Sequence, residues 1–349
     1  MSSNSSDSVW LLIDSLTFGG IESHLLELAV GLKSLHIDVT VLLLRRYPTP
    51  SLLEDKLQQA HIKVEYLDTE RHYLKQLVSK VNRSKPALLH CHGYKASLVG
   101  KLVRLLTGVR QISTYHAGET PKGKVWLYDF IDRYSAWISC CSIVVSHQIA
   151  AKIPSRTKLF NNFVDIPEQT QAQGTQIAFV GRLSHEKAPD RLLQLAQLNP
   201  SLSFDVYGSG PMQETLSKQK IHNVRFHGHQ TDMASVWPKV GVLIICSRYE
   251  GLPLTALEAM ARGIPVISLA VGNLAHLIQH QVNGFIGDTL DQIHHDLNHY
   301  LTLSPAEQLT LQRNARATIL THYSPQSVLP KLLDSYFPNR SQCDCQIEK

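Results

Sequence analysis

Two carboxylates, Glu250 and Glu258, sit in the run Ser247-Arg-Tyr-Glu250-Gly251-Leu252-Pro253-Leu254-Thr255-Ala-Leu-Glu258-Ala-Met-Ala-Arg-Gly263-Ile-Pro265. Pro253 suits a first helical position, because its missing N–H would find no intrahelical acceptor there, and Gly263 then Pro265 mark the stop. Glu250 is therefore expected on a loop and Glu258 on the helix, about 7 Å along the axis from its start at ~1.5 Å per residue. That separation spans a sugar and part of a nucleotide. The N–H groups near Leu254 and Thr255 lie at the positive end of the helix dipole, where a phosphate is favoured.

A cationic counterpart lies upstream. Residues 177–180 (Ile-Ala-Phe-Val) read as a short buried strand that runs into Gly181-Arg182-Leu-Ser-His-Glu-Lys187-Ala188-Pro189 and then a leucine-rich helix. Ligands of open α/β sheets bind beyond the carboxyl ends of strands, so Arg182 and Lys187 stand where an anion would be met. One is a planar fork for phosphate, the other a point charge. A second strand, 204–207, ends in Gly208-Ser-Gly210-Pro211, a turn that allows close backbone approach. Each feature has a plainer alternative: Glu258 on a solvated helix face, Arg182 and Lys187 in surface ion pairs with Glu186 or Asp190, and the glycine pair as an ordinary turn.

Around these residues the chain alternates strand-like and helix-like segments. Strands are predicted at 9–14, 38–44, 62–66, 87–91, 109–115 and 138–145, then at 176–180, 203–207, 223–227, 242–246 and 265–270. Amphipathic stretches such as 22–35 and 74–83 separate them. This order argues for two parallel, doubly wound sheets, and 349 residues suit two domains. The boundary is placed in the polar stretch 167–176, giving domains at 1–166 and 167–322, with a helix at 323–338 and a loose tail at 339–349.

Taken together, Gly181-Arg182, Lys187, Gly208-x-Gly210-Pro211 and Glu250-x7-Glu258 resemble the donor-binding half of the retaining glycosyltransferases of the GT-B fold, the large family-4 group. The resemblance is strong from about residue 177 to 285, including Asn283-Gly-Phe-Ile. It is weaker in the first half, through Phe18-Gly19-Gly20-Ile-Glu22, Thr114-Tyr-His116 and Asn161-Asn-Phe-Val-Asp165. It implies two Rossmann-like domains facing across a cleft, with the 325–337 helix crossing back to the first. It also implies a nucleoside-diphosphate-sugar donor and no metal or other cofactor. Arg182, Lys187 and the helix start at Leu254 would meet the diphosphate, Glu258 the ribose, and Glu250 the donor sugar, with Gly251, Leu252 and Thr255 beside them. Gly19 and Gly20 would lie near the donor phosphate or the acceptor, and His116 matches a histidine beside the reacting sugar. The family commonly has Gly after the lysine; here it is Ala188, which a helix start accommodates.

The remaining features narrow the function class. A formal charge of +5, dispersed, argues against nucleic acid. Six cysteines with no C-x-x-C pair give neither a disulfide framework nor a zinc site, and fit a cytoplasmic protein. His90-Cys91-His92 turns two imidazoles to one strand face, yet no third ligand is apparent, so these are read as structural. Residues 95–110 are an apolar helix pattern studded with bases, and Lys122-Gly-Lys124-Val-Trp126 follows. A leucine face packed into the core beneath solvated lysines is the favoured reading; peripheral contact with an anionic inner-membrane face is the alternative, under which the acceptor would be a lipid-linked sugar or glycan of cell-surface polysaccharide synthesis. A nucleotide-sugar epimerase and a non-catalytic partner subunit share the fold. An NAD-dependent oxidoreductase fits least, because Gly208-Ser-Gly210-Pro211 lacks a third glycine.

Overall fold

The computed structural model describes residues 8–16, 18–67, 72–116, 124–168 and 174–338. Residues 1–7, Lys122, Gly123, the middle of the polar stretch at 169–173 and the tail at 339–349 lie outside them. The chain forms two compact units: one runs to Asn162 and includes the segment from Pro325, and the other is Phe163–Ser324.

The first unit runs β1 (Val9–Ile13), α1 (Gly20–Ser34), β2 (Val39–Leu43), α2 (Leu52–Gln59), β3 (Lys63–Tyr66), α3 (Tyr73–Ser84), β4 (Leu88–His92), α4 (Tyr94–Thr107), β5 (Gln111–Tyr115), α5 (Lys124–Tyr134), β6 (Cys141–Val144), α6 (His147–Ala150) and β7 (Thr157–Leu159). The second runs β8 (Gln176–Val180), α7 (Pro189–Leu198), β9 (Phe204–Tyr207), α8 (Gln213–Ser217), β10 (Val224–Gly228), β11 (Val240–Ile245), α9 (Leu254–Ala261), β12 (Val266–Leu269), α10 (Leu274–Leu277), β13 (Phe285–Gly287), α11 (Leu290–Thr302) and α12 (Pro305–His322); α13 (Pro325–Tyr336) then joins the first unit. The sheet orders are β3-β2-β1-β4-β5-β6-β7 and β10-β9-β8-β11-β12-β13, and every pairing is parallel.

Parallel sheets carry helices on both faces, so their strands are apolar runs rather than alternations. Val9–Ile13 and Val39–Leu43 are buried at every position. Two short strands, β7 and β13, were not predicted, since three residues carry no period to detect. β6 starts at Cys141, later than the predicted 138, because Ala136–Ile138 closes a 3₁₀ turn.

α13 is fixed to the first sheet by specific contacts. A Cβ at Gly31 of α1 would come within 2.7 Å of the Leu329 Cδ1 methyl of α13, so glycine lets the two helices pack here without displacing that side chain. Tyr336 Oη meets His90 Nδ1 at 2.5 Å, and Arg110 donates to Ser335 O at 2.9 Å. Burial pushes His90 down to about 3, which keeps the imidazole neutral between Tyr336 and Thr114.

The interior between α4, β5 and α5 is polar, and here the sequence reading is corrected. Lys101, expected among solvated lysines, is 2% exposed. Its ammonium donates to Asp132 Oδ1 and Asp132 O, both at 2.6 Å, and to Tyr115 Oη at 3.1 Å. Asp132 also accepts from Ser97 Oγ at 2.5 Å. Burial pushes the Lys101 ammonium down and the Asp132 carboxyl up, and their mutual attraction opposes both shifts. The other bases of α4 are engaged as well: Lys95 pairs with Asp14 at 2.6 Å, and Arg104 reaches Cys140 Sγ. The leucines take the outside, with Leu105 and Leu106 both 64% exposed. A solvated Lys101 would tolerate substitution; a buried ion pair does not, because removing one partner strands the other. Lys101→Met is expected to lower the unfolding free energy by about 3–5 kcal/mol, and Lys101→Met with Asp132→Leu to recover most of the loss, as read by urea denaturation. A near-silent single variant would refute the buried pair.

Candidate active site

In the second unit the strand order reverses between β8 and β11, and the loops leaving their carboxyl ends carry the predicted residues. The β8 loop, Gly181–Ala188, and the β9 loop, Gly208–Gly210, are locked together. Gly181 N donates to Tyr207 O and Leu183 N to Ser209 O, each at 3.0 Å. At Gly208, with φ of 142°, a Cβ would fall 1.9 Å from Gly181 O, and at Gly210 one would fall 2.5 Å from Leu183 O. These glycines are required by backbone packing. Gly181 has room for a side chain, its nearest neighbour being Phe179 at 3.7 Å.

Lys187 and Glu250, assigned by sequence to different ends of a ligand, are brought together. Lys187 Nζ lies 2.7 Å from both carboxylate oxygens of Glu250, and Ser247 Oγ donates to Oε1 at 2.7 Å. The Glu250 side chain is 6% exposed and that of Lys187 33%. Asp190, the other candidate partner for Lys187, is taken by Arg248 through a two-pronged contact of 2.9 and 2.5 Å. The Arg248 guanidinium holds the Asp190 carboxyl below its usual range, and a further Nη1 bond to His185 O ties the β11 loop to the β8 loop. Glu186 lies below the usual range because Ser184 donates to it, with Arg182 adding attraction. Arg182 itself is exposed.

Helix α9 begins at Leu254, one residue later than predicted: Pro253 is its N-cap, with extended backbone. The helix stops at Arg262, and Gly263 follows with φ of 71°. Leu252 and Leu254 are buried, whereas Gly251, Thr255 and Glu258 are half-buried. The loop before the helix is braced by Gly272, where a Cβ would stand 2.3 Å from Glu250 O, and by Asn273 N donating to Gly251 O at 2.8 Å. Sequence reasoning missed Ser247, Arg248 and Gly272. Arg248 and Ser247 lie inside the motif itself, but nothing local reveals that they reach Asp190 and Glu250.

In the first unit the reversal falls between β1 and β4. Gly19 caps α1, its N–H donating to Glu22 Oε2 at 3.0 Å, and no atom would crowd a Cβ at Gly20. Burial raises the Glu22 carboxyl. From α1, the end of β4 and the residue after β5, His24, His92 and His116 converge, with one ring nitrogen of each within 4.8 Å of the others. The sequence reading, which found no third histidine for the His90/His92 pair, is corrected here: His90 turns to Tyr336 and Thr114, while His92 meets His24 and His116. His92 Nδ1 and His116 Nε2 are 3.2 Å apart. Burial pushes His24 down to about 4, opposed by a hydrogen bond with Asn162, and pushes His92 and His116 well below the usual imidazole range. All three rings are neutral at pH 7.

Residues 165–318 match the family described as glycosyl transferases group 1, and residues 19–156 match the glycosyl transferase 4-like domain. The chain belongs to the group 1 glycosyltransferases. Its two parallel-sheet units have the GT-B fold. HepE of Anabaena, solved with UDP-glucose, superposes with a TM-score of 0.80 at 18% identity over 94% of this chain and 99% of that one. Sucrose-phosphate synthase of Thermosynechococcus elongatus gives 0.77 at 17% over 96% and 100%. Among curated relatives, the O-antigen biosynthesis glycosyltransferase WbnH of Escherichia coli is 26% identical over 228 residues, 59% of this chain and 66% of that protein. The D-inositol 3-phosphate glycosyltransferase of Salinispora tropica is 27% identical over 270 residues, 59% and 54%. The chain thus spans between about half and two thirds of these relatives.

One departure from the family pattern has a physical consequence. Ala188 is not an ordinary helix residue: it is the N-cap of α7, fully buried, with φ and ψ both 51°. The expectation that alanine fits a helix start without difficulty is corrected, since left-handed backbone crowds a Cβ by roughly 1–2 kcal/mol. Ala188→Gly is expected to stay within about 1 kcal/mol of the parent, strain relief offsetting lost burial and added chain entropy. Ala188→Val should cost more than about 2 kcal/mol, because branching at Cβ worsens the crowding. Denaturant unfolding of both variants checks this, and a well-tolerated valine would contradict the left-handed cap.

Proposed function

We propose that the chain is a retaining, metal-independent hexosyltransferase that moves a sugar from a nucleoside-diphosphate sugar to a glycan or lipid-linked acceptor of cell-surface polysaccharide synthesis. The observation that carries this reading is the Lys187–Glu250 pair beside the start of α9, at the carboxyl edge where the second sheet reverses. Charge develops on the departing diphosphate. Lys187, Arg182 and the N–H groups at Leu254 and Thr255 meet it in fixed positions, which is where preorganised charge lowers a barrier. Glu250, held by Lys187 and Ser247, takes the donor sugar's hydroxyls. Glu258, on the second turn of α9, takes the ribose hydroxyls. The acceptor attacks the face that the nucleotide leaves, and the departing phosphate oxygen receives its proton, so the protein supplies positioning and electrostatics. His116 is assigned to the reacting sugar, and Gly19 and Gly20 to the α1 end that meets phosphate or acceptor. The UDP-glucose bound by HepE and the O-antigen role of WbnH support donor class and pathway type.

Glu258→Gln is expected to weaken binding of the bare nucleoside diphosphate. Glu250→Gln should leave that binding nearly intact and lose transfer. Lys187→Ala and Arg182→Ala should each lose at least about a hundredfold in transfer, in line with ~2.7–4 kcal/mol for one preorganised donor. Calorimetry with UDP, GDP and ADP beside a product assay reads all four, with circular dichroism verifying the fold. Near-parental turnover in Lys187→Ala, or equal loss of nucleotide binding in both glutamate variants, would break the assignment.

For the acceptor side, the surface of the first unit supports contact with an anionic lipid face. α5 and the turn after it expose Trp126, Phe130, Tyr134 and Trp137, the last 74% exposed, and α4 exposes Leu102, Leu105 and Leu106. Trp and Tyr favour the headgroup zone, and Leu106 borders a groove on α3 flanked by Lys75 and Arg83. No helix among the described residues is long and apolar enough to cross a membrane. Sedimentation with vesicles of anionic phospholipid is expected to carry the protein down, with neutral vesicles doing so several-fold less. Trp126→Ser with Phe130→Ser should abolish the difference; equal sedimentation of parent and variant would remove the membrane from the proposal.

A further inference from the structure

We propose that His24, His92 and His116 form a site for one divalent transition-metal ion of the Zn²⁺ class, whose occupancy withdraws His116 from sugar transfer. The three side chains come from α1, the last residue of β4 and the residue after β5, so the sheet's carboxyl edge brings them together. One ring nitrogen from each lies within 4.8 Å of the other two. On a tetrahedral Zn²⁺, with Zn–N of ~2.0–2.1 Å, ligand nitrogens stand about 3.3 Å apart. His92 Nδ1 and His116 Nε2 are already 3.2 Å apart. Two of the three rings therefore already stand at the spacing a tetrahedral ion requires, and closing the set needs an approach by His24 through a χ adjustment.

The donor set points to the class of ion. Three imidazoles with no carboxylate suit Zn²⁺, Co²⁺, Ni²⁺ or Cu²⁺ and disfavour Mg²⁺ and Ca²⁺, which take oxygen ligands. His92 is 1% exposed, and its Nε2 is buried with no hydrogen-bond partner among the described residues, so either nitrogen is available once the ring turns. His116 is half-buried, which leaves the fourth position reachable by water or an anion. A hydrogen bond alone between His92 and His116 is the competing account, in which a proton occupies the gap that the ion would fill. The inhibitory part of the proposal rests on the transfer role given to His116 above; the binding part does not.

The test uses the full chain, stripped with a chelator, and Zn²⁺ or Co²⁺ alone as probe. Equilibrium dialysis is expected to retain one Zn²⁺ per chain, and Co²⁺ to give the visible d–d bands of a tetrahedral site. His92→Gln and His116→Gln should each weaken binding by more than about a hundredfold, since even outer contacts are worth ten- to a hundredfold. If His92→Gln fails to fold, the half-exposed His116→Gln carries the test. The control is His295→Gln with His299→Gln, which removes an imidazole pair stacked at 6.4 Å on α11, the first exposed and the second half-buried, and should leave binding unchanged. Binding that survives His92→Gln and His116→Gln, or that the α11 control abolishes, overturns the site, as does failure to retain either ion. In a product assay, Zn²⁺ should inhibit at the same concentration at which it binds, and the chelator should restore transfer. If the ion binds through these histidines but transfer is unaffected, the metal site holds and the role of His116 falls.

Discussion

The Glu250 carboxylate is nearly sealed from water, and the second unit is built so that this burial is tolerable. An unpaired buried carboxylate is costly enough that it would be neutralised or expelled. Lys187 and Ser247 hold it, and those residues come from two loops on neighbouring strands. The loops in turn are held by Arg248 clamping Asp190, by the glycine contacts between the β8 and β9 turns, and by Gly272 pressed against the backbone of residues 250 and 251. Together they keep Lys187 and Glu250 within 3 Å of each other before any ligand arrives. A phosphate reaching Lys187 would not have to create this geometry. It would find the Lys187 ammonium already held at the loop by Glu250.

The first unit solves a different problem with the same physics. Its α4 would ordinarily pack leucines inward and show lysines to water. Instead Ser97, Lys101 and Asp132 form the contact between α4 and α5, satisfied by Ser113, Tyr115 and Ser135, and the leucines are displaced outward. A buried ion pair is seldom the most stable filling for such a space, and a hydrophobic set of equal volume is often better. What the polar contact does is fix the rotation of α4, and that rotation turns Leu102, Leu105 and Leu106 to the surface. The apolar surface and the buried lysine are two consequences of one helix rotation.

How much of this was legible in the sequence follows from the range over which each interaction acts. Strands such as Val9–Ile13 and Val39–Leu43 announce themselves, since burial on both faces writes a continuous apolar run. Gly208 and Gly210 stood out as a turn, and Gly263 as a stop, because a left-handed or crowded backbone admits few residues. Pro253 located the loop–helix junction to within one residue. Short strands β7 and β13 left no pattern. Lys101 was misread because periodicity records which residues are apolar, not which way the helix is turned when a carboxylate 31 positions away is there to receive an ammonium. Ala188 was misjudged for a similar reason: composition says alanine suits helices, whereas the left-handed cap is dictated by the loop that must bring Lys187 to Glu250.

The histidines mark the limit most clearly. Alternation along β4 correctly put His90 and His92 on one face, and a reader of the strand alone would treat them as equivalent. Their environments differ because different elements cross that face at each end. Near the strand's middle, α13 delivers Tyr336 and β5 delivers Thr114, and His90 has both ring nitrogens satisfied. One pleat further, at the carboxyl edge, no hydroxyl among the described residues bonds His92, and its neighbours include two more imidazoles, from α1 and from the residue after β5. A buried imidazole with hydroxyl partners is structurally complete. One whose neighbours are other imidazoles depends on their tautomers: an N–H of one ring can donate to a nitrogen of the next, or a shared cation can take the lone pairs instead. Position along a single strand therefore separates a histidine that holds the fold from one with coordinating capacity left over.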